Sequence, residues 1–190
     1  MRLAFEDGSS LIVLPGVWGQ IKLRTNDDLR AFAAASDPDL LQVTSEAFTV
    51  QALERLVHHP EHAKSTIIKV LTRHAPPTMS GMMGAYSQEA LYRAGIHPRA
   101  KTPVLDHDDL TRLYRAIVAV AQEGLAHGGR DSERDLFNQP GRFVPTMSKA
   151  NLGTPCPVCG SAITAITGGG AGKYYICPTC QPRQAAQTQE

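Results

Sequence analysis

The chain has only four cysteines, arranged as Cys156-Pro157-Val158-Cys159, a spacer of seventeen residues, and Cys177-Pro178-Thr179-Cys180. Each CxxC pair can turn back on itself and present two thiolates to one ion, which suits tetrahedral zinc with Zn–S distances of about 2.3 Å. The spacer has the pattern of a β-hairpin. Ala162-Ile163-Thr164-Ala165-Ile166 alternates, Gly168 to Gly172 turns, and Tyr174-Tyr175-Ile176 returns. Two alternatives compete. A pair of disulfides calls for an oxidising compartment, and no signal peptide opens the chain. A thioredoxin-type redox pair calls for one CxxC at a helix start, not two across a hairpin. The spacing points to one structural Zn2+ held by Cys156, Cys159, Cys177 and Cys180, with no coordination position left for water. A second cluster, His58, His59 and His62, is interrupted by Pro60. It reads as a solvated helix junction rather than a metal site.

Composition narrows the function classes. With 190 residues, 42% of them hydrophobic, the chain can hold one domain or two small ones. The formal net charge of +1 does not announce a polyanion partner. Residues 1–92 carry 8 basic and 10 acidic groups and residues 93–190 carry 11 and 8, a weak lean of the second half towards polyanions. No run of about 18 apolar residues occurs, so no membrane partner is expected. Metal-binding cysteines without an export signal predict a cytoplasmic protein, associated with the nucleoid if bacterial.

The elements that must carry these residues follow in order. Leu3 and Phe5 alternate with polar neighbours, Asp7-Gly8-Ser9 turns, and Leu11 to Leu14 answers as a second strand, with a third over Gln20–Leu23. Three strands with no other sheet are marginal alone. A short helix over Asp27–Ala35 is capped by Thr25 or Asn26, and residues 36–39 link onward. Thr49 caps a helix to about His58, with Phe48 as a hydrophobic staple. Pro60-Glu61 opens the next helix, whose buried stripe is Ile67, Ile68, Val70 and Leu71. Gly81-Met82-Met83-Gly84 forms a tight turn, and a helix from Tyr86 to Ala94 closes at Gly95. The clearest helix carries Leu110, Leu113, Tyr114, Ile117, Val118, Ala121 and Leu125 on one face, capped by Asp106 or Asp108 and ended by Gly128-Gly129. Residues 130–154 read as a polar connector into the cysteine hairpin. The fold class is α+β: short N-terminal antiparallel strands, a helical domain and a C-terminal zinc hairpin.

Two helices joined by a tight glycine turn leave backbone N–H groups at a helix N-terminus, a setting that attracts phosphate. Lys173 near the hairpin tip offers a second contact of that kind, with Lys149, Arg142 and Arg99 as further candidates. Such contacts position a protein on DNA without reading bases.

Residues 86–98, Tyr-Ser-Gln-Glu-Ala-Leu-Tyr-Arg-Ala-Gly-Ile-His-Pro, resemble the helix–two-turns–helix signature of the formamidopyrimidine-DNA glycosylase and endonuclease VIII family. The resemblance continues through the long helix to Gly128-Gly129-Arg130-Asp131-Ser132-Glu133-Arg134-Asp135-Leu136-Phe137 and into a zinc finger, Cys156 to Gln181. It covers residues 40 to 183. The N-terminal strands look like the last strands of the family's catalytic β-sandwich, with Pro15-Gly16-Val17-Trp18-Gly19 on the loop that carries its intercalating side chains. The resemblance implies four segments: a sandwich remnant over 1–36, a helix–two-turns–helix domain over 40–145, a zinc finger over 146–183 and a disordered tail over 184–190.

The family's implied chemistry is base excision repair. An N-terminal proline amine forms a Schiff base with the sugar of an oxidised nucleotide rotated out of the duplex, and strand cleavage follows. This chain begins Met1-Arg2-Leu3 and offers no counterpart of that proline or its glutamate, so the resemblance assigns no catalytic residue. Gly84 stands where the family places a phosphate-binding asparagine, Gly16 at an arginine position, Trp18 at a phenylalanine, and Lys173 near the finger's arginine. The implied contacts to duplex DNA are Lys64, Gly81, Gly84, Tyr86, Lys149, Lys173 and Trp18. Three readings remain: a DNA-binding member without its own catalytic N-terminus, an active glycosylase and lyase whose true start lies upstream, or a zinc-ribbon module that binds protein through exposed Tyr174 and Tyr175. A companion subunit or a second copy is the further partner that exposed N-terminal strands would invite.

Overall fold

The computed structural model describes residues 2–12, 25–27, 40–73, 78–168 and 172–183. The chain divides into two compact units, Met1–Ser36 and Asp37–Glu190. In the first, β1 (Arg2–Ala4) pairs antiparallel with β2 (Ser10–Ile12), in the register Leu3 to Leu11. The turn is fixed by Asp7, whose carboxylate accepts the Ser9 N–H at 2.9 Å. Leu3, Phe5 and Ile12 are exposed. Asn26 and Asp27 are helical. The expected third strand, the rest of the Asp27–Ala35 helix, the loop with Gly16 and Trp18, and the tail over 184–190 lie outside the described residues.

Among its described residues, the second unit is built on four α-helices: α1 (Val50–Val57), α2 (Ile67–Leu71), α3 (Gly84–Ala94) and α4 (His107–Ala126). Thr49 caps α1 by accepting the Ala52 N–H, and α1 sends Leu53, Leu56 and Val57 inward. Phe48 packs against Tyr114 of α4, ring centroids 5.2 Å apart. The helix expected from Pro60 is a 3-10 turn over Pro60–His62, then a break, then the single turn and a half of α2. All four apolar residues of α2 are buried, so its inward surface is broader than a stripe. His62 corrects the solvated-junction reading. It has no exposed surface, and its Nδ1 bonds the Leu56 carbonyl at 2.8 Å, whereas His58 is exposed.

One pairing has no periodic signal in the sequence. β3 (Leu40–Gln42) and β4 (Thr78–Ser80) form a parallel pair, with α1 and α2 in the crossover that parallel strands require. β4 therefore separates α2 from α3, and no tight turn joins the two helices. Gly84 belongs to α3 as its first residue, two residues earlier than the expected start. The bend that remains turns on Gly81. Its φ of 91° is left-handed, and a Cβ there would lie 2.7 Å from Val43 Cγ2.

α4 starts with a capping box. Asp106 accepts the Asp109 N–H at 2.8 Å and Asp109 reaches back to the Asp106 N–H. Its buried face is Leu110, Leu113, Ala116, Ile117, Val120 and Gly124; Leu125 is 70% exposed, because α3 covers the face one residue earlier in the turn. α3 and α4 lie against each other, with the Tyr86 ring set over Gly124 and Arg93 bridging Glu89 and Glu123. The segment after Gly129 is more than a connector. It folds back so that Phe143 bonds the Gly129 carbonyl at 2.9 Å and is buried on the Tyr86 ring, and Met147 is buried as well. At Gly141 the returning backbone runs so close to Gly129 that any Cβ would overlap its carbonyl group.

Gly81→Ala is expected to lower stability by about 2 kcal/mol, from the left-handed backbone and the displaced Val43. A denaturant midpoint equal to that of the unchanged chain would show that this bend is not under the constraint described.

Candidate metal centre

The hairpin is β5 (Thr164–Thr167) and β6 (Lys173–Ile176), paired antiparallel in the register Ala165 to Tyr175. It begins two residues later than the alternation suggested, because Ile163 is buried and Ala162 bridges back to Pro155. The hairpin brings the two CxxC knuckles together. Each knuckle is a tight turn: the Gly160 N–H bonds the Cys156 carbonyl at 2.8 Å and the Cys180 N–H points at the Cys177 sulfur at 3.4 Å.

All four cysteines are free thiols, and their sulfur atoms lie within 4.8 Å of one another. Cys156 and Cys180 are 3.8 Å apart, and Cys159 and Cys177 are 3.3 Å apart. A disulfide needs about 2.05 Å. A tetrahedron with metal–sulfur bonds of about 2.3 Å has edges of roughly 3.8 Å, so the sulfur cage has the size of a metal site. Electrostatics agrees. Hydrogen bonds from the Ser161 hydroxyl and N–H hold the Cys159 thiol down to about 6, while burial and the neighbouring sulfurs push Cys177 and Cys180 up. Four thiolates in one corner require a cation to balance them. Soft, closed, four-sulfur donation fits a structural zinc, and it is the one such cluster among the described residues. When bound, zinc there would tie the knuckles together and offer no open position for chemistry.

The finger is mounted on α3 through buried polar groups. Gln88 accepts the Tyr175 N–H at 2.8 Å, Glu89 accepts the Met147 N–H at 3.0 Å, and the Tyr92 hydroxyl lies 3.1 Å from the Cys156 sulfur. Gln181 closes the joint from the other side, donating to the Ile96 carbonyl at 2.9 Å and accepting the Cys177 N–H. Gln88, Glu89, Tyr92 and Gln181 are all less than a tenth exposed. None was among the sequence candidates. The readable signal was Ser87-Gln88-Glu89, three polar residues on what becomes an interior face.

The candidate phosphate contacts are placed as follows. Lys173 is exposed at the start of β6, opposite Thr167, whose carbonyl accepts the Arg99 guanidinium. Lys101, two residues on, donates to the carbonyl of Lys64 at 3.0 Å, and Lys64 is exposed. Arg99, Lys101, Lys64 and Lys173 are thus drawn into one neighbourhood, of which Lys101 was not foreseen. Gly81 and Gly84 are exposed at the opposite end of α3, about 16 Å of helix away from its C-terminus. A side chain at Gly84 would meet only open space. Tyr86 is half-buried and committed internally: its hydroxyl donates to Glu133 at 2.8 Å and its ring stacks on Phe143. Arg142 is exposed on the segment before the finger, and Lys149 is exposed at the finger's start.

No family model matches the chain. A formamidopyrimidine-DNA glycosylase of Pelotomaculum thermopropionicum is 38% identical over 107 residues, 54% of this chain and 38% of that protein. One from a Roseiflexus species is 32% identical over 184 residues, 94% of this chain and 64% of that protein. Among solved structures, the Lactococcus lactis Fpg in complex with abasic-site DNA superposes with a TM-score of 0.70 at 20% identity, covering 84% of this chain and 57% of that one. The chain spans less than two thirds of the length of each of these relatives. No helix among the described residues is long and apolar enough to cross a membrane. Near-complete coverage by a glycosylase relative, the shared fold and the four-cysteine corner agree: the chain belongs to the formamidopyrimidine-DNA glycosylase and endonuclease VIII family.

Proposed function

We propose that the chain is a zinc-containing grip on duplex DNA, acting in base excision repair of oxidised bases. The observation that carries this reading is the joint on α3. One helix presents an exposed, glycine-started N-terminus and, along the same rod, holds the finger by three buried side chains, with Gln181 of the finger closing the joint at Ile96. A rigid pair of phosphate contacts needs such a mount. The Gly84 end would offer N–H groups and the positive pole of the helix to one phosphate. Lys173, with Arg99, Lys101 and Lys64 nearby, would offer charge to others, and Lys149 lies at the start of the finger. Gly81 supports the turn, Tyr86 braces it, and Trp18 belongs to the wedge that the family resemblance implies. Residues 40–145 act as the helical DNA-binding part and 146–183 as the finger. The Lactococcus protein bound to abasic-site DNA supplies the analogy for the ligand.

Base excision calls for an amine nucleophile, and this reading gives the residues named here binding and positioning rather than that step. A further strand or chain covering exposed Leu3, Phe5 and Ile12 would complete the first unit. The protein-binding alternative loses its support in the hairpin. Tyr174 and Tyr175 are half-buried, each packed against a core cluster, so neither ring stands free as the exposed patch that reading needs.

Removing zinc with a chelator is expected to raise amide exchange across 150–183 while α4 stays protected, and unchanged protection of the hairpin would refute the structural role of the metal. Lys173→Ala is expected to weaken binding to any duplex and reduce the slope of log K against log salt by about 1; an unchanged slope removes Lys173 from the interface. Gly84→Asn, which fits without a clash, is expected to tighten binding about threefold, the worth of one added hydrogen bond, and loss of binding would place phosphate elsewhere. Borohydride reduction of the chain mixed with abasic-site DNA is expected to leave no covalent adduct; a trapped adduct would establish an amine nucleophile and overturn the binding-only reading.

A further inference from the structure

The Tyr92 phenol is buried among Met147, Cys156, Ile163 and Cys177, and it is the side-chain hydroxyl that reaches a cysteine sulfur from outside the finger. Its oxygen is 3.1 Å from Cys156 Sγ. A thiolate has no proton to give, so in this pair the phenol hydroxyl is the donor and the sulfur the acceptor. The cysteines differ in their shelter. Cys156 and Cys177 are buried, Cys180 is half-buried and Cys159 is exposed.

We propose that Tyr92 is a donor to the metal-bound Cys156 thiolate, reaching in from α3 to tune the metal centre and to protect it from electrophiles. A hydrogen bond withdraws electron density from the sulfur, which lowers its nucleophilicity, and it stabilises the anion that the metal requires. Outer partners of this kind fix a ligand's orientation and contribute to metal affinity. Because Tyr92 sits one turn from Gln88 and Glu89, the same face of α3 both seats the finger and conditions its sulfur. Cys159 has donors of its own in Ser161 but is open to solvent, so exposure makes it the entry point for attack, and the buried Cys156 is reached later. This inference stands on the metal centre alone and is independent of DNA binding.

The test uses the full zinc-loaded chain. Tyr92→Phe keeps the ring and removes only the hydroxyl; Gln88→Leu serves as a control that breaks a finger–helix bond without touching sulfur. Tyr92→Phe is expected to lose about 10-fold in zinc affinity, measured by competition with a chromophoric chelator. In the cobalt-substituted protein its sulfur-to-metal charge-transfer band is expected to move to lower energy, as on a more electron-rich thiolate. N-ethylmaleimide, which forms a thioether across its double bond with a proton taken from water, is expected to release zinc faster from Tyr92→Phe. Its label should map first to Cys159 in the unchanged chain and also early to Cys156 in the variant. Gln88→Leu is expected to leave the band in place. A Tyr92→Phe protein with unchanged band and affinity, or a Gln88→Leu protein with the same band shift, would overturn the proposal, because the hydroxyl would then be only a packing partner.

Discussion

Buried polar atoms must find partners, and on α3 that requirement decides how the second unit is put together. Gln88, Glu89 and Tyr92 carry oxygen atoms into the interior within a turn and a half of helix. Leaving one such group unpaired costs about 1–3 kcal/mol. Each is answered by the finger or by the segment entering it: the Tyr175 N–H, the Met147 N–H and the Cys156 sulfur. Apolar surfaces could slide against one another with modest loss. These directional contacts cannot, so the register of finger on helix is set by hydrogen bonds and only filled in by packing.

The opposite side of α3 is held by different means. Its inner face meets α4 along Ala90, Leu91 and Ala94, against Leu113, Ile117 and Val120 in the same core. At the rim, Arg93 forks onto Glu123 with bonds of 2.6 and 2.9 Å while also touching Glu89. Glu89 therefore faces two ways, towards a cation on α3 and towards the backbone of Met147. The helix thus works as a beam between an apolar platform and a metal-nucleated cap.

Much of this was legible in the chain itself. The CxxC spacing foretold the four-sulfur corner, Thr49 and Asp106 foretold two helix starts, and Gly95 foretold a helix end, because each of these signals is local and has one dominant physical meaning. What stayed hidden was non-local or ran against composition. β3 and β4 have three residues each and pair across the whole α1–α2 crossover, so neither shows alternation. His62 lies among charged and polar neighbours in sequence and is nevertheless sealed by the Leu56 carbonyl and surrounding apolar residues. The polar side chains on α3 drew no role from the sequence, since nothing local announces that Met147, Cys156 and Tyr175, 58, 64 and 87 residues further on, supply their partners. Tyr86, expected as a ligand contact, is also the post on which Phe143 and Glu133 rest, a role with no local signal.

The crossing of Gly141 over Gly129 has a consequence for how this protein can change over generations. Where two backbones touch with no room for a single carbon atom, the position is closed to drift in every direction, whatever happens to the surface around it. The tip of the loop between them, where Leu136 and Phe137 face water beyond the anchored Glu133, meets no such wall and has room to diversify. A fixed clasp with a variable span is the arrangement from which lineages can grow new surfaces without rebuilding what lies beneath.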